Sequence, residues 1–166
     1  MALVVVVGNP RPKSRTLAFA ASLGHRIAQD LNESIVTIDL ATFGPDLLDG
    51  AATTTSEAVN QVLAARLLVV ASPTYKASFT GVLKLFLDQF PGGVLNGLVT
   101  VPVMTGGSLA HSLAVDVHLR PVLLELGASL PTRSLYVLES QFAETDAVIE
   151  AWWQSARATC LSLVHP

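Results

Sequence analysis

The chain has 166 residues, 51% of them apolar and only 14% charged, with a mean hydropathy of +0.52, so most segments should be covered on both faces or packed against another copy. Ten Lys and Arg against thirteen Asp and Glu give a net charge of -3, which offers no basic surface for nucleic acid or an anionic membrane. The single cysteine, Cys160, excludes an internal disulfide and a CxxC zinc or redox site.

The length suits a single domain over residues 1–166. The longest apolar runs fall well short of the roughly 18 residues that a membrane span needs. The N-terminus lacks the basic region of a secretory signal and has the pattern of a folded strand. We therefore expect a cytoplasmic protein without a membrane segment.

Short Val, Leu and Ile runs alternate along the chain with longer segments of helical spacing. Such runs are typical of strands buried on both faces and joined by crossover helices, and five of each predict a doubly wound α/β sheet. The predicted strands are Ala2–Val7, Ser34–Asp39, Arg66–Ala71, Gly97–Met104 and Leu130–Leu138. The predicted helices are Thr16–Leu31, Ser56–Ala65, Phe79–Gln89, Leu109–Leu126 and Asp146–Val164. The stretch ATFGPDLLDGAATTTS, after the second strand, has the composition of a loose surface loop.

The loop after the first strand reads GNPRPKSRT. Its glycine ends the strand, and two prolines stiffen the segment that follows. It places Ser14, Arg15 and Thr16 at a helix N-terminus, where free N–H groups and the helix dipole favour an anion, so we expect a phosphate there. The alternative is that Ser14 or Thr16 only caps the helix and Arg15 is solvated. The sequence has neither GxGxxG nor a Walker GK[ST], which disfavours both common nucleotide cradles.

The loop after the third strand reads SPTYKAS and offers a proline ring, hydroxyls, an aromatic ring and a cation. Ligands of open α/β sheets bind at the carboxyl ends of strands where the winding reverses, which makes this loop a candidate. Tyr75 could instead be a packed surface aromatic. The helix that follows is apolar on more than one face, which favours burial against another subunit, with a large contact inside the chain as the alternative.

The fourth strand ends in MTGGSLAH. Its glycines would let the backbone approach a flat ligand, and Thr105, Ser108 and the free amides could bind its polar edge. His111 could equally cap or pack. Pro121 lies within the predicted fourth helix and predicts a kink or bulge around Val117–Pro121. Four scattered histidines without HExxH indicate no metal site.

With these loops in place, the chain resembles the NADPH-dependent FMN reductases of the flavodoxin-like superfamily, and among them the group that supplies reduced flavin to sulfonate monooxygenases. The matching stretches are GNPRPKSRT, SPTYKASFTGVLKLFLD, TGGSLAH and DVHLRPVLLELGA. The resemblance implies a three-layer flavodoxin-like sandwich with helices on both faces of a five-stranded parallel sheet in the order 2-1-3-4-5. It also implies a homodimer or homotetramer whose interface uses the helix Phe79–Gln89.

The resemblance further implies where FMN would bind. The phosphate segment of the family is matched by Ser14, Arg15 and Thr16, with Asn9 nearby. The loop against the ribityl chain and the isoalloxazine edge is matched by Pro73, Thr74, Tyr75 and Lys76. The loop facing the pyrimidine end is matched by Thr105, Gly106, Gly107 and Ser108, with His111 close to it.

The implied activity is hydride transfer from C4 of NADPH, or NADH, to N5 of FMN, with reduced flavin passed to a monooxygenase. Because the reactive atoms belong to the two cofactors, no side chain is required as acid or base, and we assign no catalytic residue. The alternatives are a flavin-bound quinone or azo-compound reductase and a non-enzymatic flavodoxin-type electron carrier, which would need a charged docking face. The sequence leaves open NADPH against NADH, the acceptor, the subunit number, and whether FMN is a substrate or a prosthetic group.

Overall fold

The computed structural model describes residues 2–164. Its five strands form one parallel sheet in the order β2-β1-β3-β4-β5, as predicted. The strands are β1 Ala2–Val7, β2 Ser34–Asp39, β3 Ala65–Pro73, β4 Val99–Gly106 and β5 Leu135–Leu138. The helices are α1 Arg15–Leu31, α2 Thr53–Leu63, α3 Gly81–Leu87, α4 Arg120–Glu125 and α5 Thr145–Val164.

Side chains of the central strands alternate between two separate hydrophobic cores, one on each face of the sheet. Leu3, Val5 and Val7 of β1 pack with α1 and α5 in the first core. Val4 and Val6 pack in the second core with α2, α3 and the segment that ends in α4. Both faces are therefore covered, which explains why the strands read as unbroken apolar runs.

Helix α1 lies very close to the sheet. A Cβ atom added at Gly24 would lie 2.6 Å from Val5 Cγ2 and 2.7 Å from Ile35 Cδ1. The helix begins after Ser14, whose side chain accepts a hydrogen bond from Leu17 N, and it ends at Asn32 in the left-handed conformation (φ 52°).

Strands β3 and β4 extend two residues further at their carboxyl ends than predicted. Pro73 ends β3 and pairs with Thr105 of β4, so both residues belong to the sheet rather than to loops. At its other end β4 begins at Val99 instead of Gly97, because Gly97 has φ of 79° and cannot continue an extended strand. The candidate residues at these ends are thus held by strand pairing.

The predicted last strand, Leu130–Leu138, is wrong over its first half. Only Leu135–Leu138 pairs with β4. The preceding segment is held by the Arg120 guanidinium, which donates to the carbonyls of Leu130 and Thr132, both at 3.2 Å. These contacts hold the segment outside the β4–β5 ladder.

The predicted helix Leu109–Leu126 is divided into three parts. A 3₁₀ turn covers Leu109–His111, a π-helical turn covers Val115–Leu119, and α4 follows. Pro121 lies in the first turn of α4, where its missing N–H costs no intrahelical bond. The expected irregularity before this proline is confirmed.

Two earlier segments also differ from the prediction. The stretch after β2 contains 3₁₀ turns at Leu40–Thr42 and Gly44–Leu48 and buries Phe43 and Leu47, so it is more ordered than a loose loop. Helix α3 buries most of its apolar residues inside the chain. Those residues are Leu83, Phe86 and Leu87, together with Phe90 just beyond the helix. This burial favours the intrachain alternative for α3.

Candidate functional site

The segment between β1 and α1 is a short loop held by side-chain hydrogen bonds. Asn9 is buried, and its Oδ1 accepts from Arg11 N at 2.9 Å. Its amide nitrogen donates to Thr16 Oγ1 at 3.4 Å. Asn9 therefore joins the end of β1 to the first turn of α1 and fixes the shape of the loop.

The N-terminus of α1 offers donors to an anion. Ser14 Oγ accepts from Leu17 N at 3.1 Å, which leaves the hydroxyl hydrogen available. Ala18 is the first residue whose amide bonds within the helix, to Ser14 O. The amides of Arg15 and Thr16 precede it and point out of the helix end with the positive end of its dipole. Capping and anion binding are therefore compatible at Ser14 and are not alternatives.

Arg15 is held against the segment that follows β5. Its Nη2 donates to Glu139 Oε2 at 2.6 Å, and its Cζ lies 5.2 Å from the centre of the Phe142 ring. Phe142 in turn packs against Phe19 of α1, with ring centres 6.2 Å apart. Arg15 is consequently not a freely solvated side chain, although 65% of its side chain is exposed.

Thr80 connects the ends of β1 and β3 to helix α3. Its hydroxyl donates to the carbonyl of Gly8 and accepts from Leu83 N at 3.1 Å, while its amide donates to Ser72 Oγ at 3.0 Å. Gly8 has no room for a side chain, because an added Cβ would lie 2.3 Å from Leu83 Cβ. The edge of the sheet below the candidate loops is therefore closely packed.

The loop after β3 is a tight hairpin. Tyr75 and Ser78 exchange two backbone hydrogen bonds, Tyr75 N to Ser78 O at 2.8 Å and Ser78 N to Tyr75 O at 3.1 Å. The two central residues, Lys76 and Ala77, both have positive φ, 50° and 63°. This is the type I′ arrangement, which normally favours Asn and Gly. It holds Tyr75, 41% exposed, at the rim of the site.

Hydrogen bonds join the start of α1 to the ends of β3 and β4. Thr16 Oγ1 and Thr105 Oγ1 share one at 2.9 Å, and Thr74 N donates to Thr105 O at 2.7 Å. Among residues 2–164, buried side-chain polar atoms without a hydrogen-bond partner are Oγ1 of Thr74 and Oγ1 of Thr132. The first of these lies just after β3, 3.1 Å from the position of a Cβ added at Gly106.

The loop after β4 is shaped by Tyr136 from the neighbouring strand. The Tyr136 hydroxyl donates to Ser108 O at 2.9 Å, and a Cβ added at Gly106 would lie 2.0 Å from that hydroxyl oxygen. Around Gly107 nothing lies within 4 Å of an added Cβ, so this backbone faces open space. Ser108 Oγ accepts from Ala110 N at 3.2 Å and starts the 3₁₀ turn that ends at the exposed His111.

These loops enclose an open pocket of about 480 Å³ at the carboxyl edge of the sheet. Seven of the sequence-predicted residues line it, namely Asn9, Ser14, Arg15, Thr16, Pro73, Tyr75 and Thr105. The remaining six do not line it, although the loops that carry them adjoin it. These are Thr74, Lys76, Gly106, Gly107, Ser108 and His111.

Five lining residues were missed by the sequence reasoning: Arg11, Pro12, Lys13, Glu139 and Phe142. The first three belong to the predicted phosphate loop, and the motif itself could have included them. Glu139 and Phe142 follow the edge strand β5, and no motif marks them. Only the strand order, which places the end of β5 beside the other carboxyl ends, could have indicated them.

The pocket is positively charged. Arg11, Lys13 and Arg15 face it with a single carboxylate, Glu139. Within the described residues 2–164, no group of three or more His, Cys, Asp or Glu side chains is placed to hold a metal ion. In the same range, no helix combines the length and the apolar character needed to span a bilayer. The arrangement suits a small anionic ligand.

The chain is similar in sequence to known flavin reductases. Residues 1–143 match the family model described as NADPH-dependent FMN reductase. An "FMN reductase (NADPH)" of Escherichia coli (strain K12) is 32% identical, with 93% of this chain and 90% of the relative covered. An "NADH-dependent FMN reductase SfnF" of Pseudomonas putida is 30% identical, with 92% and 85% covered.

Solved structures agree with this likeness. The apo form of an NADH:FMN oxidoreductase (EMOB) has a TM-score of 0.90 and 34% identity, covering 99% of this chain and 91% of its own. An archaeal flavodoxin has a TM-score of 0.61 at 14% identity, covering 95% of this chain and 99% of its own. The latter likeness is one of fold alone.

Proposed function

We propose that this chain, which belongs to the NADPH-dependent FMN reductase family, is an oxidoreductase that reduces FMN with NADPH or NADH. The single observation that carries the proposal is the cationic pocket at the N-terminus of α1, bordered by the strand ends that the sequence motifs mark. Relatives named for NADPH and for NADH both match the chain, and we therefore propose both nicotinamides as candidate donors.

The phosphate end of FMN fits the first loop. Ser14, Arg15 and Thr16 all line the pocket, and their first-turn amides, the Ser14 hydroxyl and the Arg15 guanidinium are donors for an anion. Three cations against one carboxylate leave an excess of two positive charges, which matches a phosphate dianion. Asn9 and Thr16 hold the loop and would orient these donors.

The ring end of FMN fits the other two loops. Thr74 Oγ1 is buried without a hydrogen-bond partner and lies beside Gly106, so it belongs to the packing that joins these two loops. Backbone at Gly107 faces open space, so its amide can approach a flat ring. We assign Pro73, Thr74, Tyr75 and Lys76 to the ribityl chain and ring edge. We assign Thr105, Gly106, Gly107 and Ser108 to the pyrimidine end, with His111 beside them.

The role of the protein in this reaction is to bind and orient two rings. When bound, nicotinamide and flavin supply the chemistry themselves, a hydride passing from C4 of the former to N5 of the latter. The hairpin at Tyr75–Ser78 and the loop at Gly106–Ser108 are braced by hydrogen bonds, so the backbone amides there are fixed in advance of binding. No side-chain acid or base is assigned.

The first experiment is a titration of the protein with FMN, followed by quenching of flavin fluorescence, together with NAD(P)H oxidation in the presence of added FMN. We expect saturable quenching and FMN-dependent oxidation of at least one nicotinamide. Binding of FMN without NAD(P)H oxidation would instead identify an electron carrier. Flavin that stays bound through purification, with rapid quinone turnover, would identify a quinone or azo-compound reductase.

We further propose that residues 1–166 act as one domain in the cytoplasm and pass reduced FMN to a flavin-dependent monooxygenase. The support is the likeness of GNPRPKSRT, SPTYKAS and TGGSLAH to the reductases of sulfonate monooxygenases. A coupled assay tests the transfer. Addition of this chain, FMN and NAD(P)H to a monooxygenase of that class should start turnover, and omission of the chain should stop it.

A homo-oligomer is also proposed, as a dimer or tetramer. The support is a set of apolar side chains between β4 and β5, each more than half exposed. The set consists of Leu109, Leu113, Val117 and Leu124. Sedimentation should give a multiple of the chain mass, and Leu113→Glu should lower it, whereas Leu48→Glu, at another exposed leucine, should not. A monomeric wild type would contradict this.

A further inference from the structure

We propose that Glu139 competes with the flavin phosphate for Arg15 and so lowers the affinity of the pocket for phosphorylated flavin. This inference rests on the proposed function and assigns a specificity-determining residue within the same site. Glu139 Oε2 lies 2.6 Å from Arg15 Nη2, and both residues line the pocket. Among the described lining residues, Glu139 is the only one with a carboxylate.

The Glu139 carboxylate disfavours binding of an anion in this otherwise cationic pocket. Everything else that is charged around it, Arg11, Lys13 and Arg15, attracts an anion, and the end of α1 does so too. A carboxylate facing the same space repels a phosphate dianion and occupies one of the donors of Arg15. Its removal should therefore favour phosphate binding.

The ion pair is weak enough to be exchanged. The side chains of Arg15 and Glu139 are 65% and 48% exposed, so solvent and salt screen their attraction. A phosphate carries up to two charges and can accept two parallel N–H donors from one guanidinium. The phosphate group of FMN can consequently displace Glu139 from Arg15, and Glu139 can pair with Arg15 again when FMN dissociates.

Phe142 keeps Arg15 in place during this exchange. The Arg15 Cζ lies 5.2 Å from the centre of the Phe142 ring, and the ring is fixed against Phe19. The segment that carries Glu139 and Phe142 is braced by Leu138 N donating to Gln141 Oε1 at 2.9 Å and by Thr145 Oγ1 donating to Phe142 O at 2.9 Å. The guanidinium thus stays at the wall of the pocket whichever anion it holds.

The consequence is an FMN site from which the ligand leaves readily. When the phosphate group of FMN leaves Arg15, the Glu139 carboxylate can take its place on the guanidinium. Such a site suits FMN as a substrate that enters oxidised and departs reduced. Riboflavin has the same ring without the phosphate, so its binding should be indifferent to Glu139.

The test compares FMN and riboflavin binding, by fluorescence quenching, in the wild type and in Glu139→Gln. We expect Glu139→Gln to increase the affinity for FMN by about fivefold, which corresponds to the upper range for an exposed ion pair. The rate of FMN dissociation should fall by a similar factor. Riboflavin affinity should not change. Glu144→Gln removes the same charge from an exposed residue of the same turn that does not line the pocket. This variant should change the affinity for neither FMN nor riboflavin.

Two results would overturn the inference. One is FMN affinity that is unchanged or weaker in Glu139→Gln. The other is equal tightening of FMN and riboflavin. In an Arg15→Gln background the effect of Glu139→Gln on FMN should shrink, and an undiminished effect would refute competition for Arg15. Because these readouts are of binding alone, they remain decisive even if NAD(P)H oxidation fails and the proposed function with it.

Discussion

Thr16 and Thr105 share a buried hydrogen bond between their hydroxyls, 2.9 Å long, although 89 residues separate them in the chain. Thr16 lies in the first turn of α1 and Thr105 near the end of β4. The bond joins the phosphate loop directly to the strand end that carries the glycine loop. The two halves of the candidate site are therefore coupled by side chains.

Loss of both partners of this bond should cost less than the sum of the two single losses. Thr16→Val leaves the Thr105 hydroxyl buried and unpaired, which should lower the free energy of unfolding by about 1–3 kcal/mol. The double variant Thr16→Val/Thr105→Val should lose less than the sum of the single variants. Urea unfolding of the four proteins measures the coupling, and strict additivity would show that the bond contributes nothing.

A side chain at Gly106 should disturb the fold of the site, whereas one at Gly107 should leave the fold intact. The Cβ of Gly106→Ala would meet the Tyr136 hydroxyl at 2.0 Å, but that of Gly107→Ala would meet nothing within 4 Å. We expect Gly106→Ala to destabilise the fold by about 1–3 kcal/mol and to weaken FMN binding. Thermal unfolding and flavin quenching are the measurements. Tyr136→Phe in the Gly106→Ala background should restore part of the loss.

The hairpin after β3 should become more stable when glycine replaces one of its two central residues. Lys76 and Ala77 adopt positive φ, which for residues other than glycine costs roughly 1–2 kcal/mol each. Ala77→Gly should therefore raise the free energy of unfolding by about 1 kcal/mol. Chemical denaturation tests this. Ala18→Gly, at an exposed position within α1, is the control and should be destabilising.

Asp30 should make stability depend on pH in the acid range. Hydrogen bonds from Arg157, Trp153 and Arg26 lower the pKa of Asp30 from its ordinary 3.8 to about 2. Because the pKa is lower in the folded state, the stabilisation is fully present above about pH 4 and is lost as the pH falls towards 2. The difference in unfolding free energy between wild type and Asp30→Asn should shrink over that interval.

A charge-matched control separates this effect from general acid destabilisation. Glu57→Gln removes an exposed carboxylate from α2. The difference in unfolding free energy between this variant and the wild type should change far less over the same interval. If the difference in unfolding free energy between the wild type and Asp30→Asn stays constant from pH 5 to about pH 2, the lowered pKa of Asp30 is contradicted.

Cys160 should be inert in the folded protein. It is fully buried in α5, and burial raises the pKa of its thiol to about 11. A chromogenic disulfide reagent at mildly alkaline pH should therefore react slowly with the native protein and rapidly in denaturant. Since the chain has one cysteine, the signal is unambiguous. Rapid reaction without denaturant would show that α5 opens locally.

Most of the fold was predictable because the strands are buried on both faces. Strands of this kind are unbroken apolar runs, and the bounds of β1 and β2 agree with the sequence pattern. The error in Leu130–Leu138 has a tertiary cause, since Arg120 holds the Leu130 and Thr132 carbonyls outside the sheet. Apolar periodicity carries no information about such a contact.

The candidate site was only partly predictable for a similar reason. Residues within one motif, such as Ser14 and Arg15, can be inferred from their place before a helix. Glu139 and Phe142 follow an edge strand and acquire their role only through the packing of distant segments. Sequence reasoning also could not show that Ser14 serves as a helix cap while its hydroxyl hydrogen remains free.

The residues that line the pocket are spread along the sequence from Asn9 to Phe142. During synthesis it therefore does not exist until the chain through Phe142 has left the ribosome, and a flavin cannot act as a template for the earlier part of the nascent protein. A ligand that recognises only the finished pocket stabilises completed molecules by mass action. Chains cut short before β5 should gain no protection from FMN, so added cofactor would preserve full-length protein and leave fragments to proteolysis.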